Sequence, residues 1–197
     1  MDSHFSSTNS FSAVEAQFAT TCAWFSALGA PVDRSRIEQY RRDIAEIAAH
    51  ENSGTTQELS NKRGFDRLAR SLMEIAQLNI IYQGLIHRDS PGLRTRLKKV
   101  TKGGNSLLEE IGTDSKNEPR NIAFELEIAA WLAQSGYQVD LEAECDIWTA
   151  VAGKEIALEC KRPFSVPGIE KCIKKGRVLG LGQSFRALPI ANPSVFL

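Results

Sequence analysis

The sequence predicts a mixed α+β protein, with an all-helical N-terminal region at 1–111 and a smaller α/β core at 112–197. Three observations predict it. Apolar residues recur at 3- and 4-residue steps from Phe11 to about Lys102, the period of amphipathic helices. Glycine and polar residues then gather at Gly103-Gly104 and from Gly112 to Asn117, the composition of a linker. Beyond Gly136 apolar residues alternate with polar ones, the period of a strand.

The first ten residues are polar and serine-rich and are expected to fray. A first helix is expected from Phe11 to Leu28, stopped by Gly29-Ala30-Pro31. A second should begin after Asp33, with Ile37, Tyr40, Ile44, Ile47 and Ala48 as its inner stripe and Arg41, Arg42, Asp43 and Glu46 facing away. That stripe reads as core or as a helix–helix seam. A third helical stretch covers about 56–87, with Phe65, Leu68, Leu72, Ile75 and Leu78 inward and a break near Lys62-Arg63-Gly64. Asp89-Ser90-Pro91-Gly92 signals a turn, and a basic helix follows from Leu93 to Lys102.

In the second region Asn117 caps a helix that tolerates Pro119 in its first turn. It runs to Ser135 and ends at Gly136, a residue suited to the left-handed position after a helix. Tyr137, Val139, Leu141 and Ala143 mark one strand, and 147–151 and 156–160 mark two more. Gly153-Lys154 suits a two-residue type II′ turn between them. Pro163 and Pro167 break the chain before a basic helix from about Gly168.

Composition narrows function only a little. The 24 basic and 24 acidic residues cancel, so net charge selects no partner. No run approaches the roughly 18 apolar residues of a membrane span, and Met1-Asp2-Ser3-His4 lacks the positive start of a signal peptide. A cytoplasmic protein without a membrane partner is expected. Cys22, Cys145, Cys160 and Cys172 show no CxxC spacing, which favours buried or half-buried thiols over a zinc site or a disulfide framework.

The chemistry concentrates on Glu159-Cys160-Lys161. Residues two apart on a strand share a face, so a carboxylate and an ammonium stand side by side. With Gly153-Lys154 as the loop, Ala152 pairs with Glu155, Trp148 falls opposite Glu159, and Asp146 falls opposite Lys161. Asp146 is then diagonal to Glu159. These two carboxylates and the Cys160 carbonyl form an oxygen donor set suited to Mg²⁺ or Mn²⁺. Glu125 shares a stripe with Ile122, Ala129 and Leu132, where an unpaired carboxylate is costly. It is therefore a candidate third acid, with Glu127 as its rival.

The run Phe124-Glu125, Trp131-Leu132, Gly136-Tyr137, Asp146 and Glu159-Cys160-Lys161-Arg162 resembles the PD-(D/E)xK nuclease superfamily. It is closest to the restriction-endonuclease-like branch whose helix reads F-E and ends in G-Y. The resemblance covers about 118–183 and implies a core of helix, three strands, helix and strand. It implies Mg²⁺-dependent hydrolysis of phosphodiester bonds, most often in DNA. Asp146 and Glu159 would be metal ligands, Lys161 the catalytic lysine and Glu125 the helical acid. Cys145 stands where the pattern has proline. The fourth strand would have to be Ser194 to Leu197, so the sequence reads as a domain incomplete at its C-terminal edge. A second Asp-x-Lys, Asp114-Ser115-Lys116, is expected in a polar linker with no strand around it.

From Lys161 to Leu197 seven residues are basic and one, Glu170, is acidic, an excess suited to a phosphate backbone. Arg162, Lys171, Lys174 and Lys175 are the candidate nucleic-acid contacts. The stretch Arg88 to Lys102 is a second basic candidate. A non-cleaving module that keeps the nuclease-like fold and binds DNA or protein is the alternative function. The N-terminal helices are the candidate surface for a homodimer.

Overall fold

The computed structural model describes residues 10–103 and 114–161, with backbone alone for 114–117. The chain divides into two compact units, 1–160 and 161–197, and Lys161 is the described residue of the second. The described residues form six helices and one three-stranded antiparallel sheet, a mixed α+β arrangement that is mostly helical.

Helix α1 (Phe11–Ala27) starts where the Ser10 hydroxyl accepts from the Ala13 N–H, and it stops before Gly29 at φ +78°. Helix α2 (Arg36–Asn52) is capped by Ser35 in the same manner. Ile37, Tyr40, Ile44, Ile47 and Ala48 are all buried, so the expected stripe is core. Asp43 departs from expectation. It is buried and accepts from Ser71 Oγ at 2.6 Å, Gln39 Nε2 at 2.9 Å and Arg67 Nη2 at 3.2 Å. Three donors, one from the preceding turn of α2 and two from another helix, meet the hydrogen-bonding needs of a carboxylate that charge alone would send to solvent.

The stretch expected at 56–87 is two helices, α3 (Thr56–Arg63) and α4 (Phe65–Leu85), parted at Gly64 with φ +86°. Phe65 opens α4 and is 72 % exposed rather than part of the inner stripe. Helix α5 (Pro91–Val100) has Ser90 as N-cap and proline in its first turn. Helix α6 (Asp114–Gln134) begins by Asp114, so Asp114-Ser115-Lys116 lies on a helix and not in a linker. Its end follows expectation, with Gly136 at φ +83° and the Tyr137 N–H reaching the Leu132 carbonyl.

One apolar cluster runs from Phe18 to Ile147 and includes residues of α1, α2, α4, α5, α6 and the sheet. It crosses the expected division at 111/112. Helix α6 packs against α4 and α5. Its approach to α4 is close enough that a Cβ at Gly84 would stand 2.5 Å from the Ala130 carbonyl oxygen.

The sheet runs β1 (Val139–Asp140), β2 (Ile147–Val151), β3 (Lys154–Leu158), in that order. The first strand is shorter than expected because Asp140 Oδ1 accepts from the Glu142 N–H at 2.7 Å, a local turn that competes with the ladder. The hairpin loop is Ala152-Gly153, at φ +51° and +75°, the two left-handed residues of a type I′ turn. It replaces the expected Gly153-Lys154 turn. Val151 therefore pairs with Lys154 and Trp148 with Ala157, not Glu159.

Candidate functional site

The candidate acids flank the β2–β3 ladder. Its last pair is Ile147 with Leu158, so one further step sets Asp146 opposite Glu159. The sequence reading had Asp146 opposite Lys161 and diagonal to Glu159. The register differs by two, which keeps every side chain on its face. Ile147 and Thr149 are buried, whereas Trp148 is half-buried and Glu155, Ala157 and Glu159 are exposed. Continuing the alternation, Asp146 and Glu159 belong to the outer face of the sheet. Asp146 is half-buried, and its Oδ2 accepts from the Cys160 N–H at 2.7 Å. That bond ties the start of β2 to the chain leaving β3.

Glu125 approaches from the helical side. Its Oε2 lies 3.6 Å from Arg96 Nη1, and the same Nη1 donates to the Asp146 main-chain carbonyl. Both side chains are largely covered, with Glu125 15 % and Arg96 16 % exposed. Glu127 is directed elsewhere and accepts from Gln77 Nε2 of α4 at 2.6 Å. Of the two rival helical acids, Glu125 is thus the one linked through Arg96 of α5 to the Asp146 backbone. Lys161 is exposed. Arg162, Lys171, Lys174 and Lys175 lie outside the described residues.

Among the described residues no group of three or more His, Cys, Asp or Glu side chains could hold a metal ion. A magnesium site does not require one. The ion is commonly held by one or two carboxylates and keeps several waters. Asp146, Glu159 and the Cys160 carbonyl are all oxygen donors, which is the chemistry that ion takes.

Four residues of the basic stretch 88–102 contact the protein's own groups. Arg88 donates to the Val139 carbonyl of β1 at 2.9 Å. Arg94 grips Asp89 through Nε and Nη2 at 2.5 and 2.6 Å, and its hydrogen bond holds the Asp89 carboxyl below the usual carboxylate range. Lys99 pairs with Glu118 at 2.9 Å. Arg88 and Arg96 therefore fasten the Val139 carbonyl of β1 and the Asp146 carbonyl just before β2 to the helical body.

Between α5, α6 and residues 141–142 lies a groove of about 780 Å³. It presents Arg96 and Lys99 against Glu118, Glu125 and Glu142, a balance of two positive charges to three negative. Such a lining repels a phosphate backbone more than it attracts one, so the groove is a poor path for a nucleic-acid strand.

Sequence reasoning missed two features. Arg96 was one basic residue among six, yet Leu93, Leu97 and Val100 are fully buried, and position 96 flanks that stripe. Its spacing from Leu93 was the available signal. The second feature is a buried cluster in which Arg36 Nη1 and Arg120 Nε meet the two oxygens of Glu74 at 3.2 and 2.6 Å. Tyr40 Oη lies 3.4 Å from Arg120 Nη2, and burial raises its pKa. Position 36 opens a helix and position 120 follows a proline, and neither placement marks a buried charge.

Among the described residues no helix is long and apolar enough to cross a membrane. Compared with family models, with curated proteins and with solved structures, the chain matches none.

Proposed function

We propose that the chain is a Mg²⁺-dependent nuclease acting on DNA, with α6 and the β1–β2–β3 sheet belonging to a restriction-endonuclease-like core. The observation that carries this reading is the bond from the Cys160 N–H to Asp146, just beyond the last ladder pair, Ile147 with Leu158. The order of helix and antiparallel hairpin supports the same reading.

In this proposal Asp146, Glu159 and the Cys160 carbonyl hold one Mg²⁺ (or Mn²⁺). Once bound, the ion supplies a polarised phosphoryl oxygen and a water of lowered pKa. The Cys160 N–H donates to one Asp146 oxygen and so helps to fix the carboxylate. Lys161 supplies an ammonium that orients the attacking water and offsets charge on the phosphate in the transition state. Glu125 stays paired with Arg96 and contributes through the placement of α6 against the sheet. Arg162, Lys171, Lys174 and Lys175 are the proposed contacts to the DNA phosphates.

Purified protein incubated with plasmid and linear DNA tests the proposal. Cleavage is expected with Mg²⁺ and none with EDTA. Asp146→Ala and Lys161→Ala should each lower the rate by at least about 100-fold, the scale of losing one group that stabilises transition-state charge. Absence of Mg²⁺-dependent cleavage, or equal cleavage by the variants, would refute it. DNA retention on a gel without turnover would instead select the non-cleaving module. The engagement of Glu125 by Arg96 is the observation that favours that second reading.

A further inference from the structure

We infer that Arg96 is a positioning residue of the proposed metal site, one that acts through Asp146 and touches neither ion nor substrate. This inference rests on the nuclease reading and adds a residue to it.

Asp146 is held through both its side chain and its main chain. Its carboxylate accepts from the Cys160 N–H at 2.7 Å, and its main-chain carbonyl accepts from Arg96 Nη1. The same guanidinium nitrogen stands 3.6 Å from Glu125. One side chain thus links α5, which carries its backbone, to α6 through its charge and to the residue just before β2 through its donor. The anchor is firm, because Leu93, Leu97 and Val100 fix α5 in the core with no exposed surface. Asp146 immediately precedes β2, which begins at Ile147, so the arginine adds a restraint from α5 just where the chain enters the sheet.

Two effects of removing Arg96 have opposite signs. Loss of a positive charge near the carboxylates would tighten cation binding by Coulomb attraction alone. Loss of the restraint would loosen it, because a misplaced carboxylate must be ordered by the ion. The direction of the change in cation affinity therefore reports which role Arg96 has. Arg88 provides the control. It makes the equivalent bond to the Val139 carbonyl, so its loss should weaken the attachment of the sheet without touching Asp146.

The experiment is titration of the full chain with Mn²⁺, with free ion read by electron paramagnetic resonance. Thermal unfolding of each variant is measured in parallel. Arg96→Ala is expected to weaken Mn²⁺ binding about 10-fold, near 1.4 kcal/mol. Arg96→Lys, which keeps charge and one donor, should recover part of that loss and remains informative if Arg96→Ala does not fold. Arg88→Ala should lower the unfolding temperature yet leave Mn²⁺ affinity within about 2-fold of wild type. Unchanged or tighter binding in both Arg96 variants would overturn the inference and leave the nuclease reading standing. An equal loss in Arg88→Ala would also overturn it, since any loosening of the sheet would then suffice. Absence of Mn²⁺ binding in the wild type and all variants would overturn both.

Discussion

Helix α6 carries Glu125, and its position is set by a close approach to α4 that a single methyl group should disturb. At Gly84 an added Cβ would lie 2.5 Å from the Ala130 carbonyl oxygen and 2.6 Å from its Cα and Cβ. Comfortable carbon contacts lie near 3.5–4.0 Å, so the helices must part by about 1 Å or the Cβ must sit in a repulsive contact. The opposing atoms are mostly backbone, which cannot swing aside as a long side chain can. Overpacking of this kind costs about 1–3 kcal/mol. Alanine returns about 1 kcal/mol over glycine in a helix. With backbone opposite, the cost should fall at the upper end, for a net loss of about 2 kcal/mol. For a body of this size that lowers Tm by about 4–8 °C. The assay is thermal unfolding followed by circular dichroism, with Gln83→Ala as control, because Gln83 is exposed on the adjacent position. The control should change stability by less than about 0.5 kcal/mol. A Gly84→Ala protein that unfolds at or above the wild-type temperature would refute the close-packing argument.

Two further perturbations test other parts of the fold. Ala152 holds φ +51° in the hairpin loop, so Ala152→Gly should relieve left-handed strain and raise stability in urea by roughly 0.5–1 kcal/mol. A loss there would mean that the loop is not type I′. Glu74→Ala removes the carboxylate shared by Arg36 and Arg120, whose side chains are 0 % and 3 % exposed. Leaving buried guanidinium groups short of their counter-charge should cost about 3–5 kcal/mol in urea melts, and a loss under about 1 kcal/mol would show that the cluster relaxes or is hydrated.

Much of the helical body was legible because its signals are local. Ser10, Ser35 and Ser90 each cap the helix that follows them, and the Ile37/Tyr40/Ile44 stripe is core as its period requires. Cys22 is buried and Cys145 and Cys160 are half-buried, as their spacing suggested. The misreadings came from partners distant in sequence. Asp43 looked like a surface acid because its donor Ser71 is 28 residues away. The structural contacts of Arg88 and Arg96 were not legible because their acceptors, Val139 and Asp146, are about 50 residues further on. Phe65 fitted the inner stripe by spacing, but it opens α4 immediately after the bend at Gly64.

The candidate site was legible to the level of its faces and no further. Alternation placed Asp146 and Glu159 on one face and would do so in any register shifted by two residues. Which pair stands opposite depends on whether the loop is Ala152-Gly153 or Gly153-Lys154. Both contain the glycine that tight turns favour, so composition could not separate them. The observed loop ends the ladder at Ile147 with Leu158, so its register, continued by one step, would set Asp146 against Glu159 rather than Lys161.

The claim that Asp146 and Glu159 share one divalent cation is tested most directly by anomalous diffraction from crystals soaked in Mn²⁺. The account predicts a single manganese peak about 2.1 Å from a carboxylate oxygen of each residue, and no such peak in crystals of Asp146→Asn. A peak elsewhere, or none between these two side chains in the wild-type crystal, would contradict it.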